Sequence, residues 1–544
     1  MHVPDRVRAT GAGKARQKMC AERLVWVVVL ALASGLSCGK SPGGGEQAAG
    51  DTQGEPTDGS DDSDVGGDTD PPGSTGAPSH RDAGPVVKSP GTDAAREKAD
   101  AAVGNAGAQS DAARAPNVSD PGASVSTEDL IAAPDGVESA PGTLAAPTTL
   151  LAALTRVAPG RAIRLRGGSY TSAAQITIAR DNSGEPDKLK ELRAYLDEKP
   201  VLDFSSQPYG KDANPRGLQI DGSYWHVLGL TVLGSADNGI YVAGSHNVVE
   251  NCILHKNRDT GLQIGRSGSS TAKTDWPADN LILNCESYDN YDAPPGGGEN
   301  ADGFAAKLTV GTGNVFRGCV SHNNIDDGWD LYTKTDTGSI GEVTIDQCVA
   351  HHNGTLTDGT ANANGDRNGF KLGGEKIAVA HVVTRSIAFA NGKNGFTWNS
   401  NPGAIRLSNT LAFDNVAGNY KFGDNSTQTS AVFSNNLSFW NSASGAVKDV
   451  HFGQDVDHTN CWANASASSG GCNGSGLMVS GADFAGSLAN VQVSRAADGT
   501  PDLSVFKLAA KSALIDVGVL PAGDLPFDPA YYHGKPDLGA VESP

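Results

Sequence analysis

The stretch NVVENCILHKNRDTGLQI, residues 247–264, sets out a pattern that the chain then repeats. Its phrase closes at Asn257, and equivalent phrases close at Asn290, Asn324, Asn353, Asn391, Asn415 and Asn441. Eight positions before those asparagines stand Val249, Ile282, Phe316, Ile345, Val383, Leu407 and Phe433. A position that is apolar in every repeat points inward. Five positions before the asparagines come Cys252, Cys285, Cys319 and Cys348, then Ser386, Thr410 and Asn436, so the four cysteines share one address.

Repeats of 22 to 42 residues, β-rich with Gly and Asn at the corners, fit a solenoid whose coils stack their strands in parallel. The hand expected of parallel crossovers makes this an all-β chain folded as a right-handed parallel β-helix. A β-propeller would need a hairpin turn in every blade and would leave a single internal column of asparagines hard to place. In the solenoid that column reads as a ladder of side-chain amides bonded coil to coil at a buried turn. The stacked cysteines read as buried thiols, because they lack the paired close spacing of zinc ligands. Cys461 and Cys472 bracket a Ser/Gly-rich loop and are expected to form a disulfide.

Outward from the repeats, TTLLAALTRVAPGRAIRLRGGSYT (148–171) predicts a short capping helix with a Thr N-cap, a Pro-Gly turn and a strand. Residues 39–142 are dominated by Gly, Ala, Ser, Asp and Pro with almost no aromatics, which predicts a disordered acidic linker before a β-helix domain at 143–544. Residues 1–38 carry a basic run (Arg6, Arg8, Lys14, Arg16, Lys18, Arg23) and an apolar stretch, Leu24 to Ala33, too short to cross a bilayer. They read as a signal peptide. Its end, GLSCGK, resembles a lipobox, although Gly35 stands where leucine is preferred. The expectation is a lipidated Cys38, followed by Gly39 rather than aspartate, on an outer-membrane or cell-surface protein, otherwise secreted. The formal net charge is −20, of which residues 1–38 contribute +4 and residues 39–140 contribute −13. That excess argues against nucleic acid as a partner, and a monomer is expected.

A second register holds the chemistry. A polar residue, Gly and an apolar residue recur at NGI (238–240), TGL (260–262), DGF (302–304), DGW (327–329), NGF (368–370) and NGF (394–396). The glycines are 22, 42, 25, 41 and 26 residues apart, so insertions fall around 263–300 and 351–367, where loops can wall a cleft. Asp302 and Asp327 precede their glycines, Asp326 lies one place earlier, and Asp330 and Lys371 each lie two places after a glycine. Strands about 4.8 Å apart then gather four carboxylates and one amine within roughly 10 Å. Carboxylates this close repel unless a cation neutralises them, and a hard ion taking about six to eight oxygens, Ca²⁺ above all, suits them.

At these residues the chain resembles a known family. The runs NCESYDNYDAPPGGGENADGFAAKLTVGTGNVFRGCVSHNNIDDGWDLYTK (284–334) and GDRNGFKLGG (365–374) are similar to those of polysaccharide lyase family 9 pectate lyases, and a weaker likeness runs from about residue 145 to PDLGAVE (536–542). The resemblance implies a right-handed β-helix with an asparagine ladder, calcium held by Asp302, Asp326, Asp327 and Asp330, and Lys371 as the catalytic base. It implies cleavage of polygalacturonate, an acidic polysaccharide, by β-elimination. A neutral amine is needed for that step; a divalent cation lowers the pKa of Lys371 while the aspartates oppose the shift. Lys307, Lys334, Lys376 and Lys393 are candidates to pair with substrate carboxylates, and Tyr332, Trp398 and Asn401 are further substrate-binding candidates.

Two other classes remain open on the sequence. A metal-independent β-helical glycoside hydrolase would use the aspartates as acid and base, but no Gly-His-Gly or Arg-Ile-Lys string of that kind is present. A non-catalytic surface adhesin would bind acidic glycan without turnover. A lyase for another uronate polymer is the nearer alternative.

Overall fold

The computed structural model describes residues 126–544 apart from 211–213, 425–428, 473, 524 and 544. The signal segment, Cys38 and the linker up to residue 125 lie outside the described residues.

Three sheets, of twelve, ten and thirteen strands among the described residues, wind around one axis, and the chain visits them in turn; all pairings are parallel except at the end of the third, where Cys461–Ala463, Gly470–Cys472 and Met478–Val479 pair antiparallel. The column that opens the repeat sits where its hydrophobicity demands. Val249 pairs in register with Ile282, Ile282 with Phe316, Phe316 with Ile345, Ile345 with Val383, Val383 with Leu407 and Leu407 with Phe433. All seven are fully buried, on the inner face of the twelve-strand sheet. The ten-strand sheet adds a second internal file, in which Phe304, Trp329, Phe370, Phe396 and Tyr420 stack ring on ring with centroids 4.7 to 5.2 Å apart. Offset stacking of this kind adds to plain area burial and favours one register over a slipped one.

The asparagine ladder runs through the turn between the thirteen- and ten-strand sheets. Each Nδ2 donates to the next Oδ1, from Asn257 through Asn290, Asn324, Asn353 and Asn391 to Asn415, over 2.7 to 3.0 Å. Asn441 does not continue it. The ladder closes on Asn419, which takes the amide of Asn415 at 3.0 Å, while Asn441 is exposed and donates to Asp414. The chain swings out over residues 441–448 before it re-enters the ten-strand sheet at Val450, so the sequence address no longer maps onto the buried turn. A second ladder, Asn247 to Asn280 to Asn314, lies at another corner.

Two expectations about the ends of the domain meet the structure differently. The helix forms at Leu150–Arg156, with the Thr149 side chain accepting from the Ala152 amide. The linker, however, ends before residue 142. Leu130–Ala132 is already a strand of the twelve-strand sheet, paired with Ala162–Leu165, and Asp129 forms an ion pair with Arg164 at 2.7 Å. Its few apolar residues, Leu130, Ile131 and Ala132, are too short a run to stand out from the surrounding Ala and Gly.

Each cysteine of the stack follows a residue in the left-handed region: Asn251, Asn284, Gly318 and Gln347 have φ of 51°, 53°, 62° and 56°. That corner turns the chain inward, so the four thiols are fully buried and unbridged, with Cys285 and Cys319 donating to carbonyls of the preceding coil at 3.4 Å. The expected disulfide, Cys461 to Cys472, is formed. Outside the same corner a C-terminal segment returns over earlier coils. Asn251 donates to the Asp498 carbonyl, Arg495 to Cys285, Arg317 to Pro526, Asn409 to Asp537 and Asn435 to Val519. Arg385 is held on Asp346 by two hydrogen bonds of 2.8 and 2.7 Å and faces the Phe527 ring at 3.7 Å.

Candidate active site

The polar residues of the second register lie at the entry to the ten-strand sheet, and their glycines explain why they line up. A Cβ on Gly303 would come within 2.0 Å of Ser321 Oγ and 2.8 Å of Asn324 Nδ2; one on Gly328 would meet the Gly369 carbonyl at 2.5 Å and Asn353 Nδ2 at 2.9 Å. The bare glycines therefore let the asparagine ladder pack against the strand entry, and the preceding aspartates are fixed to the same rigid turn.

Carboxylate oxygens of Asp302, Asp326 and Asp327 all lie within 4.8 Å of one another, and all three residues are buried. Asp330 is paired in register with Lys371 on the next strand. Lys371 Nζ lies 3.5 Å from Asp327, 3.9 Å from Asp330 and 2.9 Å from Asp366; Lys307 Nζ lies 3.1 Å from Asp302 and 3.4 Å from Asp330. The five residues expected to act together are thus brought together, with Lys307 among them. Lys393 reaches the edge of the cluster through Asp366, at 2.8 Å.

The other substrate candidates fall elsewhere. Lys334 is half-buried and Lys376 exposed, at bends beyond the strand ends. Asn401 is fully buried, with its amide donating to the Leu372 and Val379 carbonyls and its oxygen accepting from the Val379 and Gly403 amides. It fastens a turn and offers a polymer nothing. Trp398 is part of the core, while Tyr332 places its ring 5.2 Å from Lys371 Nζ.

Asp366 is the residue that the repeat pattern does not show. It lies two places before Asn368, outside the polar-Gly-apolar register, and reaches the cluster only because the 351–367 insertion folds back. Its amide donates to Asp326 Oδ1 at 2.5 Å. That insertion meets the other one: Asn362 and Asn364 both donate to the Gly297 carbonyl, and Thr357 binds Asp289. The two loops form one wall beside the carboxylates.

The electrostatics show what the site suits. Burial first, then mutual repulsion, raise Asp326 and Asp327 well above the usual carboxylate range, and burial raises Asp302 to about 7 against the pull of Lys307. Burial alone would lower Lys371, but Asp330, Asp327, Asp366 and Asp326 together push it up. Asp327 Oδ2 and Asp330 Oδ1 are buried without a hydrogen-bond donor. All-oxygen, anionic, converging and donor-poor, the set fits a hard divalent cation.

Comparison with known proteins points to one family. The family described as Pel9A-like, right-handed β-helix region, matches residues 130–424. A pectate lyase L of Paenibacillus polymyxa (strain SC2) is 51% identical over 398 residues, covering 73% of this chain and 85% of that protein. A pectate lyase L of Dickeya dadantii (strain 3937) is 36% identical over 420 residues, 75% of this chain and 89% of the other. Among solved structures, pectate lyase Pel9A superposes with a TM-score of 0.63 at 33% identity, covering 78% of this chain and 98% of that one.

Proposed function

The chain belongs to the Pel9A-like right-handed β-helix family of pectate lyases, a group of polysaccharide lyases, and from that premise we propose that it cleaves polygalacturonate by calcium-dependent β-elimination. The observation that carries the mechanism is the convergence of Asp302, Asp326, Asp327 and Asp330 on one side of Lys371, with two buried carboxylate oxygens lacking donors. Asp302, Asp326, Asp327 and Asp330 would hold the calcium ion. When bound there, calcium would neutralise the carboxylate of a uronate and make its C5 proton more acidic.

Lys371 then takes the proton from C5. The electron pair left behind forms the C4–C5 double bond, the C4–oxygen glycosidic bond breaks, and the departing oxygen is protonated by water. Only a neutral amine can accept the proton. Among bare carboxylates Lys371 is held charged, whereas neutralising them leaves burial, which favours the neutral amine, as the dominant influence. Asp366, 2.9 Å from the amine, and Tyr332, whose ring lies 5.2 Å from it, would hold it in position, and Lys307, 3.1 Å from Asp302, would meet a second substrate oxygen.

The test is initial rate on polygalacturonate, followed by the ultraviolet absorbance of the unsaturated product, with and without EDTA. Activity that EDTA abolishes and calcium restores supports the reading. Reducing ends released without an absorbing product would instead support a hydrolase, and binding without turnover an adhesin.

The location of the enzyme rests on sequence alone. We propose export and lipidation at Cys38, supported by the basic and apolar run that precedes it. Mass spectrometry of the mature N-terminus checks this. No helix among the described residues is long and apolar enough to cross a membrane.

A further inference from the structure

The outward-facing file that contains Asp330 and Lys371 continues past them. Strand register sets Lys371 beside Thr397 and Thr397 beside Lys421. Lys421 therefore stands two coils, or about 10 Å, along the sheet from the amine. It is exposed and forms no ion pair among the described residues. Two positions further along its strand, Gly423 has φ of 91°, and a Cβ there would fall 2.7 Å from Cδ2 of Phe452. The Phe452 ring, from the following coil, thus lies against the bare backbone of Gly423. It is 41% exposed, a large apolar side chain left in water on the coil next to that of Lys421. The chain there is well held: the Phe452 amide, just past the strand Val450–His451, donates to the Phe422 carbonyl at 2.9 Å, and neighbouring His451 stacks on Trp462 at 4.2 Å.

A cation and an exposed ring on a rigid sheet offer the two faces of a uronate what each needs. The carboxylate meets an ammonium, and the C–H face of the sugar ring covers the aromatic. A sugar in an extended chain advances by about one coil spacing, so a polymer with one unit at Lys371 brings the unit about two further on to Lys421. We infer that Lys421 and Phe452 form a remote subsite for a galacturonosyl unit of the polymer. This rests on Lys371 marking the point of cleavage.

The experiment compares wild type with Lys421→Gln, Lys421→Arg and Phe452→Ala on polygalacturonate and on digalacturonate at saturating calcium. On the polymer, KM is expected to rise by about five- to tenfold in Lys421→Gln and Phe452→Ala, with kcat little changed and Lys421→Arg close to wild type. The dimer, which covers the cleavage point and one further coil, stops short of Lys421 and should show no such rise. An unchanged KM on polymer, or an equal change on dimer, overturns the proposal. If Lys371 is not the base, Lys371→Ala will still turn over, and that failure leaves the polymer-to-dimer comparison intact. Calorimetry of hexagalacturonate binding adds a readout without turnover: affinity reduced by the same factor in Lys421→Gln supports the subsite, and equal affinity overturns it.

Discussion

Lys371 and Asp327 are 3.5 Å apart yet answer to different tests. Lys371→Ala should keep the fold and bind calcium while losing about a thousandfold or more in kcat, the upper part of the range for a positioned general base. Retention of a substantial fraction of turnover on polygalacturonate would hand the proton to another group. Asp327→Ala removes an oxygen from the proposed calcium site and a carboxylate that accepts from the Asn368 backbone and side-chain amides. Calorimetry should find tight calcium uptake gone, with activity following; unchanged affinity would make the aspartates turn residues. Much of this site is legible in the sequence, because Asp302, Asp326, Asp327, Asp330 and Lys371 keep fixed offsets from repeated glycines and a parallel register converts offset into proximity. Asp366 keeps no such offset, and Asn401 carries no mark that separates a turn-fastening amide from a ligand.

Ladder, ring stack and glycine entry are one interlocked element at the strand corner. Asn324 shows the linkage: it takes the amide of Asn290 at 2.7 Å, donates to Asn353 at 3.0 Å and to Ser321 at 3.0 Å, and touches the space a Cβ on Gly303 would need. Asn324→Ala should therefore cost about 2–4 kcal/mol, since it strands buried partners on both neighbouring coils. Chemical denaturation measures this, and a loss below about 0.5 kcal/mol would mean that water or relaxation replaces the ladder. Elements with strict periodicity are legible in the sequence: the apolar column and six of seven ladder asparagines are where the spacing puts them. Asn441 departs from the ladder because its spacing persists in sequence where an exposed loop, 441–448, replaces the buried turn. The Asn247, Asn280 and Asn314 ladder leaves little periodic signal because it spans only three coils, and Leu130–Ala132 leaves none because so short a strand looks like linker until a partner coil lies beside it.

For the whole molecule, the buried carboxylates tie stability to pH and, on the proposed function, to calcium as well. Asp302, Asp326 and Asp327 are raised in the fold, so without calcium the folded state binds more protons than the unfolded one. Their stabilising contribution is fully present below the ordinary carboxylate range and is lost as pH rises through about 7 for Asp302 and through the raised values of the other two. Calcium-free protein should melt at a higher temperature at about pH 5.5 than at about pH 8, and calcium should raise the melting temperature mainly at the higher pH. Scanning calorimetry in calcium-free and calcium-loaded buffers decides it; the same pH trend in both would place its origin elsewhere. The returning C-terminal segment has a different consequence for the molecule's history. A solenoid has no inherent stopping length, and duplication or deletion of a coil ordinarily preserves every local contact. Here one stretch of chain must find Asn251, Cys285, Arg317, Arg385, Asn409 and Asn435 at fixed separations. It works as a vernier laid along the stack: adding or removing a single turn between residues 251 and 435 would throw its marks out of alignment, so the fold carries its own measure of how many coils it has.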